Sequence, residues 1–197
     1  MKIFDCFMYF DEDLILDLRL NYLDKFVDHF VIVESLFNHK GQKREPQFNL
    51  DKFKKFENKI KYILLDHEGE IFSDIKKDDD ANRVAEKQIM NALKRENYQR
   101  DFITNGLAEA NDDDWIIISD LDEIPNLEIN NLKENKNKIV FFKQLMIYYK
   151  LNLYLKDFPW IGSKACKKKD LKSPQWLRNI KDRNYAWWRI DTFFSNT

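Results

Sequence analysis

Short runs of consecutive apolar residues constrain the fold of this chain more than any other feature of its sequence. They occupy residues 2–10, 30–34, 61–65, 115–119 and 138–150. A strand without alternating polar residues is typical of a parallel sheet that is buried on both faces. Because helical segments separate the first runs, the pattern predicts an α/β fold with a mostly parallel central sheet flanked by helices.

The first helix is predicted directly after the first strand. Asp11 is suited to its N-cap, because the side-chain oxygen can accept a hydrogen bond from a free backbone N–H. Four residues at helical spacing form the expected apolar face, with three leucines beside them: Leu14, Ile15, Leu18 and Tyr22, then Leu16, Leu20 and Leu23. We expect this face to pack against the sheet.

The composition argues against several functional classes. The 33 Lys and Arg residues nearly balance the 34 Asp and Glu residues, so the net charge of −1 gives no field that favours nucleic acid. The four glycines lie far apart, which excludes the glycine-rich phosphate loops of NTPases and dinucleotide-binding proteins. No apolar run approaches the roughly 20 residues of a membrane span. Two distant cysteines and no signal-peptide pattern lead us to expect a cytoplasmic protein.

The most informative motif is the acidic segment that follows the 115–119 strand, Asp120-Leu121-Asp122-Glu123. Open α/β sheets bind ligands beyond the carboxyl ends of their strands, and alternate residues of an extended backbone point the same way. We therefore expect Asp120 and Asp122 to converge on a site for Mn²⁺ or Mg²⁺, completed by phosphate oxygens and water. A solvated acidic turn is the alternative, since an isolated D-x-D is common.

A second clue lies in the long helix predicted over residues 82–108. At 100° per residue, Glu96 and Arg100 fall in the centre of an apolar stripe that includes Ile89 and Ile103. Charges in such a stripe require a partner or a functional cleft. Two interpretations stay open: an ion pair at the edge of the core, or an Arg100 guanidinium directed at a phosphate.

Other polar residues are less informative. Glu34 ends the second strand at the same predicted edge of the sheet as Asp120. It can accept hydrogen bonds from a base or a ribose there, or be an ordinary surface residue. The three histidines have no metal-ligand spacing. The basic, Trp-rich residues after 150 can serve sugars and phosphates, or combine core tryptophans with solvated lysines.

Several blocks of the chain resemble glycosyltransferase family 17, in the order in which that family has them. They are Asp5-Cys6-Phe7, Leu18-Arg19-Leu20, residues 30–35, Gly41-x-Lys43, Gln99-Arg100-Asp101, residues 118–125 and Trp187-Trp188-Arg189-Ile190. The family includes the β-1,4-N-acetylglucosaminyltransferase that adds the bisecting residue to N-glycans. The most specific block is Ser-Asp-Leu-Asp-Glu-Ile-Pro at residues 119–125.

The resemblance implies a GT-A-like fold and inverting transfer of a sugar such as N-acetylglucosamine from a UDP-sugar to a carbohydrate hydroxyl. It implies that Asp120 and Asp122 hold Mn²⁺ or Mg²⁺, and it makes Asp122 and Glu123 the catalytic candidates, Glu123 as a general base. The implied donor-binding residues are Glu34, Lys43, Arg100 and Asp120, with Glu34 facing the nucleoside and the cations near the diphosphate.

The resemblance also predicts how the chain is organised. We expect a nucleotide-sugar-binding core over residues 1–150 and an acceptor-side elaboration of the same domain over residues 151–197. The family's Gly-Trp-His segment is expected to begin at Thr197, so the resemblance implies a C-terminally truncated chain. Two other functions stay open: a nucleotide- or carbohydrate-binding fragment without turnover, and a metal-dependent phosphohydrolase that uses the three acids of residues 120–123.

Overall fold

The computed structural model of the chain describes residues 1–69, 72–150 and 152–182. Its strands are β1 (Ile3–Tyr9), β2 (His29–Ser35), β3 (Ile60–Leu65), β4 (Trp115–Ile118), β5 (Ile139–Phe141), β6 (Gln144–Ile147), β7 (Tyr154–Trp160) and β8 (Lys164–Lys167). The helices are α1 (Asp13–Leu23), α2 (Ala81–Asp101) and α3 (Pro174–Asn179). Short 3₁₀ segments cover Leu50–Phe56, Phe102–Leu107, Leu132–Glu134 and Lys168–Asp170.

The centre of the molecule is a six-stranded sheet with the order β3-β2-β1-β4-β8-β5. The four strands β3, β2, β1 and β4 are mutually parallel, whereas β8 runs antiparallel to both β4 and β5. Strands β6 and β7 form a separate antiparallel hairpin. The predicted α/β architecture with a mostly parallel sheet is therefore confirmed, while its finer GT-A character stays a prediction.

Both faces of the sheet are covered, which explains the continuous apolar strands. On one face, Phe7 of β1 belongs to a buried cluster with Leu16 and Leu20 of α1. On the other face, Phe4 and Cys6 belong to a second cluster, which includes the 3₁₀ segment Phe102–Leu107 and α3. Consecutive residues of β1 enter opposite cores, so every position in the strand favours an apolar side chain. A polar side chain is tolerated there only when it has a buried partner.

The structure corrects the apolar face predicted for the first helix. The buried residues of α1 are Leu16, Arg19, Leu20 and Leu23, whereas Leu14 and Leu18 are 81% and 56% exposed. The helix has so many leucines that its hydrophobic pattern fits two neighbouring faces, and packing chooses the face that contains Arg19. Asp11 does not cap the helix either, because Glu12 occupies the N-cap position without a side-chain hydrogen bond.

The long helix predicted over residues 82–108 is shorter than expected. Helix α2 ends at Asp101, and the chain continues as the 3₁₀ segment Phe102–Leu107. Ile89 is 68% exposed, so the apolar stripe does not extend along the helix as predicted. Its last turns contact the sheet, where the Gln99 side chain donates to the Val33 carbonyl, and Arg100 is only 2% exposed.

The strand predicted over residues 138–150 is two strands in different sheets, β5 and β6. The later strands β7 and β8 were not predicted. Because β8 lies between β4 and β5, residues after 150 supply a central strand of the main sheet. The division of the chain at residue 150 stays a prediction. Among the described residues, no helix combines the length and apolarity needed to cross a membrane.

Candidate active site

A cleft of ≈ 780 Å³ lies beyond the carboxyl end of β4, where the sequence predicts the site. The turn after β4 contributes Asp120, Asp122 and Glu123 to its lining. Its other walls come from α1, residues 124–130, β6 and Trp160 at the end of β7. Because β4 ends at Ile118 and the backbone then turns, the three acids are brought together by the turn and not by strand periodicity as predicted.

A buried arginine fixes the shape of this turn. Arg19 of α1 donates from Nη1 to the backbone oxygens of Asp120, Leu121 and Glu123 at 3.0, 2.9 and 3.2 Å. Its Nε and Nη2 each lie 2.7 Å from a carboxylate oxygen of Asp5 on β1. The carbonyl of Asp120 also accepts from the backbone N–H of Glu123, and that of Glu123 from the Ser163 hydroxyl, so the backbone of the turn is satisfied inside the protein.

Asp120 lies between two guanidinium groups. Its Oδ1 accepts a hydrogen bond from Nη2 of Arg100 at 3.0 Å, and its Oδ2 accepts one from Nη2 of Arg178 at 2.6 Å. The Asp120 side chain is 37% exposed, so it still reaches the cleft. Each oxygen keeps one acceptor position, which leaves room for a further ligand.

Glu123 is almost completely enclosed, with 7% exposure, and its carboxylate is saturated. Oε1 accepts from Nε1 of Trp160 at 2.6 Å and from Nη2 of Arg178 at 2.9 Å. Oε2 accepts from Nη1 of Arg178 at 2.7 Å and from the backbone N–H of Asp120 at 2.9 Å. These donors use all four acceptor positions of a carboxylate, so the geometry favours a positioning role. The predicted role of Glu123 as a general base stays untested.

The carboxylate of Glu123 also explains a glycine in the segment before β8. A Cβ atom at Gly162 would overlap this carboxylate. The carbonyl oxygen of Gly162 accepts a hydrogen bond from Nη1 of Arg178 at 2.5 Å. Only a glycine lets the backbone approach both charged groups so closely.

Asp122 differs from its two neighbours because no described side chain pairs with its carboxylate. Burial, followed by the negative charges of Glu123 and Asp120, raises the pKa of the Asp122 carboxyl above its ordinary value. A carboxylate in that position gains free energy from a nearby cation, because the cation relieves its repulsion from the other two acids. Of the three acids of the turn, Asp122 is therefore the one without a side-chain partner among the described residues.

The donor atoms at the turn supply part of the shell of a hard divalent cation, which water or a substrate would complete. Within the described residues, no group of three or more His, Cys, Asp or Glu side chains is arranged to hold a metal ion. Asp122, with the free acceptor positions of Asp120, supplies oxygen ligands of the kind that Mn²⁺ and Mg²⁺ prefer. Cations of this kind are often held by one or two carboxylates, with phosphate oxygens and water completing the shell.

Arg100 forms the predicted ion pair within the helix and also faces the acidic turn. Its Nη2 lies 2.8 Å from Oε1 of Glu96 and donates a second hydrogen bond to Asp120. Its Nη1 donates to Oε1 of Gln175 at 2.5 Å. The buried Nε–H has no hydrogen-bond partner among the described residues, and such a group is normally satisfied by water or a ligand. Contact with a phosphate stays a prediction.

Glu34 and Lys43, the other two predicted donor residues, do not line this cleft. Glu34 is fully buried, and its carboxylate accepts hydrogen bonds from the side chains of Arg44 and Tyr62 and from two backbone amides, at 2.7–3.0 Å. Lys43 is exposed on the loop after β2, close enough to Asp66 to contribute to its lowered pKa. Their roles in donor binding stay predictions, and the surroundings of Glu34 favour anchoring the loop.

Sequence reasoning missed the partners of the acidic turn. Arg178 and Trp160 were seen only as members of a basic, aromatic tail, and Asp5 and Arg19 only as parts of two separate blocks. A charged residue among Leu16, Leu20 and Leu23 was a usable signal for Arg19. No local pattern links Arg178 to Asp120, 58 residues earlier. Trp187 and Trp188 lie outside the described residues.

The comparison with known families agrees with the motifs at the site. A family model for glycosyltransferase family 17 matches residues 1–172, which include β1, α1, α2 and the acidic turn. The block at residues 187–190 lies beyond this match. No curated protein matches the chain. Since the match covers most of the sequence, the chain belongs to glycosyltransferase family 17, a family of enzymes that transfer a sugar from a donor to an acceptor.

Proposed function

We propose that this protein transfers a sugar, of the N-acetylglucosamine type, from a UDP-sugar to a hydroxyl group of a glycan, with inversion at the transferred carbon. We further propose a GT-A-like fold and a requirement for Mn²⁺ or Mg²⁺. The observation that carries the proposal is the state of the three acids in the cleft. Asp120 and Glu123 are paired with arginines, and Asp122 alone among them has no described cationic partner.

A cation explains how such a cleft accepts a nucleotide diphosphate. The turn is acidic, so a diphosphate would be repelled by Asp122 unless a divalent cation came between them. Asp122, with Asp120 beside it, would hold the cation. When bound, the cation would neutralise the diphosphate and stabilise UDP as the leaving group. Arg100 lies at the same turn and adds positive charge to it.

We place the acceptor on the side of the cleft formed by the hairpin of β6 and β7. Trp160 lines the cleft on that side, with its indole N–H bonded to Glu123. An aromatic ring fixed in this way offers a flat apolar face on which a sugar ring can stack. Inversion needs a group that removes the proton of the acceptor hydroxyl. Glu123 can do so only after one of its four donors leaves, and Asp122 would already be engaged with the cation.

The ion pairs of Arg178 argue against the alternative of a phosphohydrolase. A two-metal phosphohydrolase needs several carboxylates free to bind metal ions, but Arg178 already pairs with Asp120 and Glu123.

For the compartment, we propose a cytoplasmic setting. Cys6 and Cys166 are both buried thiols without a disulfide, which suits it.

The experiment that tests the proposal measures UDP release from UDP-N-acetylglucosamine, with and without an N-glycan acceptor and Mn²⁺. We expect release that requires Mn²⁺, rises with acceptor and stops on addition of EDTA. Release of UMP or inorganic phosphate would instead indicate a phosphohydrolase. Mn²⁺-dependent binding of UDP in a calorimeter without any release would indicate a binding protein without turnover. Equal UDP affinity with and without EDTA would overturn the metal requirement.

A further inference from the structure

Arg178 of α3 is the main counter-ion of the acidic turn. Its two terminal nitrogens bind Glu123 at 2.7 and 2.9 Å, and Nη2 also binds Asp120 at 2.6 Å. The side chain is 16% exposed, and so lies largely inside the protein. Arg178 also lies outside residues 1–172, the range that matches the family model.

The hydrogen bonds of Arg178 define what kind of role it can have. A guanidinium has four terminal N–H groups. Here they are directed to both oxygens of Glu123, to Asp120 and to the carbonyl of Gly162. A phosphate could reach these terminal groups only by displacing one of the four partners. Its contacts therefore fit a residue that acts through Asp120 and Glu123.

The balance of charge at the turn shows why a cation is attracted to it. The carboxylates of Glu96, Asp120 and Glu123 share the guanidinium groups of Arg100 and Arg178. With Asp122, four carboxylates face these two guanidinium groups and the ammonium group of Lys164, which interacts with Glu123 and Arg178, so the turn keeps a negative excess. Loss of Arg178 would remove the ion pair of Glu123 and one of the two ion pairs of Asp120. The carboxylates of Asp120, Asp122 and Glu123 would then compete for cations.

We propose that Arg178 is a positioning residue that reserves cation binding for Asp122, by neutralising Asp120 and Glu123 and holding them in place. The inference rests on the proposed function, since it concerns the cation that this function uses. It predicts effects of opposite sign when Arg178 is replaced. The carboxylates that lose their arginine partner bind the cation more tightly, whereas sugar transfer becomes slower because the acidic turn is no longer fixed in position. A residue that only stabilised the fold would weaken both.

The test is a calorimetric titration of the nucleotide-free protein with Mn²⁺ alone, next to a transfer assay. For Arg178→Gln we expect the Mn²⁺ association constant to rise about fivefold or more and kcat to fall about tenfold or more. The matched control is Arg83→Met, because Arg83 lies on α2 with 68% of its side chain exposed and pairs only with Asp79 among the described residues. It removes the same charge and should change neither value.

A second variant keeps the test decisive if Arg178→Gln does not fold. In Arg178→Met/Glu123→Gln, one positive and one negative charge are lost together. The Mn²⁺ association constant should return to within about threefold of the wild type while transfer stays slow, because the turn has lost its ties. Mn²⁺ binding that is unchanged or weaker in Arg178→Gln, or about tenfold weaker in the double variant, would overturn the inference.

The two proposals fail in different ways. A wild-type protein that transfers sugar with Mn²⁺, but whose Arg178→Gln variant binds Mn²⁺ no better, contradicts the role of Arg178 alone. A wild-type protein without transfer activity, whose Arg178→Gln variant binds Mn²⁺ more tightly, contradicts the proposed function and leaves the role of Arg178 standing.

Discussion

Arg19 and Asp5 form an ion pair that is completely enclosed, with neither side chain exposed to solvent. Two hydrogen bonds of 2.7 Å join them, and the same guanidinium holds three backbone carbonyls of the acidic turn. Strand β1, helix α1 and the turn after β4 therefore meet at one side chain. A buried pair of this kind contributes little net stability by itself, but it is costly to break because the remaining charge has no partner.

The first prediction concerns this pair. Arg19→Met leaves Asp5 buried without a counter-ion, and we expect the free energy of unfolding in a urea titration to fall by about 3–5 kcal/mol. The control is Lys25→Met, since Lys25 and Glu128 form an exposed pair with 61% and 53% of their side chains exposed. That change should cost less than about 1 kcal/mol. Equal effects of the two substitutions would contradict the prediction.

The second prediction separates the chemistry of the turn from its stability. Asp122→Asn removes the unpaired carboxylate while no described side chain depends on it. We expect UDP binding in the presence of Mn²⁺ to weaken about tenfold or more, with the midpoint of thermal unfolding unchanged within about 2 °C. Asp112→Asn, on the exposed loop before β4, is the matched control and should leave UDP binding intact. Full Mn²⁺-dependent binding by Asp122→Asn would remove the main support for the proposed cation site.

The third prediction concerns Glu34 and the loop after β2. The backbone amides of Gln47 and Phe48 donate to its two carboxylate oxygens at 2.7 and 3.0 Å. Glu34→Gln replaces one acceptor oxygen by a donor group, so hydrogen exchange at these amides should become about tenfold faster or more. Glu45→Gln, an exposed position on the same loop, should leave exchange at both amides unchanged. If exchange stays equally slow in Glu34→Gln, its carboxylate does not anchor the loop.

The fourth prediction is a pH dependence that comes from Lys164 of β8. Its residue exposure is 4%, and its Nζ donates to the backbone carbonyl of Arg178. Burial, followed by the positive charge of Arg178, lowers the pKa of Lys164 to about 8. Between about pH 8 and pH 10.5 the unfolded chain therefore binds more protons at this group than the folded chain does, so the contribution of Lys164 to stability increases as the pH rises.

The measurement is the difference in unfolding free energy between the wild type and Lys164→Met at pH 7.5 and at pH 10. We expect this difference to move in favour of the wild type by about 2 kcal/mol. Burial raises the pKa of both thiols, Cys6 and Cys166, which lowers stability in the same pH range. Both proteins share that effect, so it cancels in the difference. A difference that does not change with pH would mean that Lys164 is not buried as described.

The general architecture could be predicted because its signals are local. Continuous apolar strands separated by helical segments have few ways to bury their surface other than a parallel sheet covered on both faces. The carboxyl end of β4 could be named as the site for a related reason. A buried strand ending in Asp120-Leu121-Asp122-Glu123 places acids at the edge where such sheets bind ligands.

The predictions from sequence were wrong where a hydrophobic pattern fitted two faces of a helix equally well, and where the contacting residue lay far away in the chain. The leucines of α1 fit two faces, and only the requirement that Arg19 meet Asp5 explains the face that is buried. Helix α2 buries a polar residue, Asn91, in its middle and Arg100 in its last turn, so its apolar periodicity carried little information about Ile89. Strands β7 and β8 lie in a segment whose basic and aromatic residues show neither a continuous apolar run nor an alternation of apolar and polar residues.

The sequence by itself determined the class of fold, the family and the position of the acidic turn, because apolar runs and short motifs act over a few residues. The tertiary structure alone decided the state of each acid in that turn. Asp120 and Glu123 have an arginine partner, and Asp122 has none among the described residues, because α3 brings Arg178, and the end of β7 brings Trp160, into contact with residues far away in the chain. The charge of a carboxylate depends on what lies within a few ångströms of it, and that distance is set by packing.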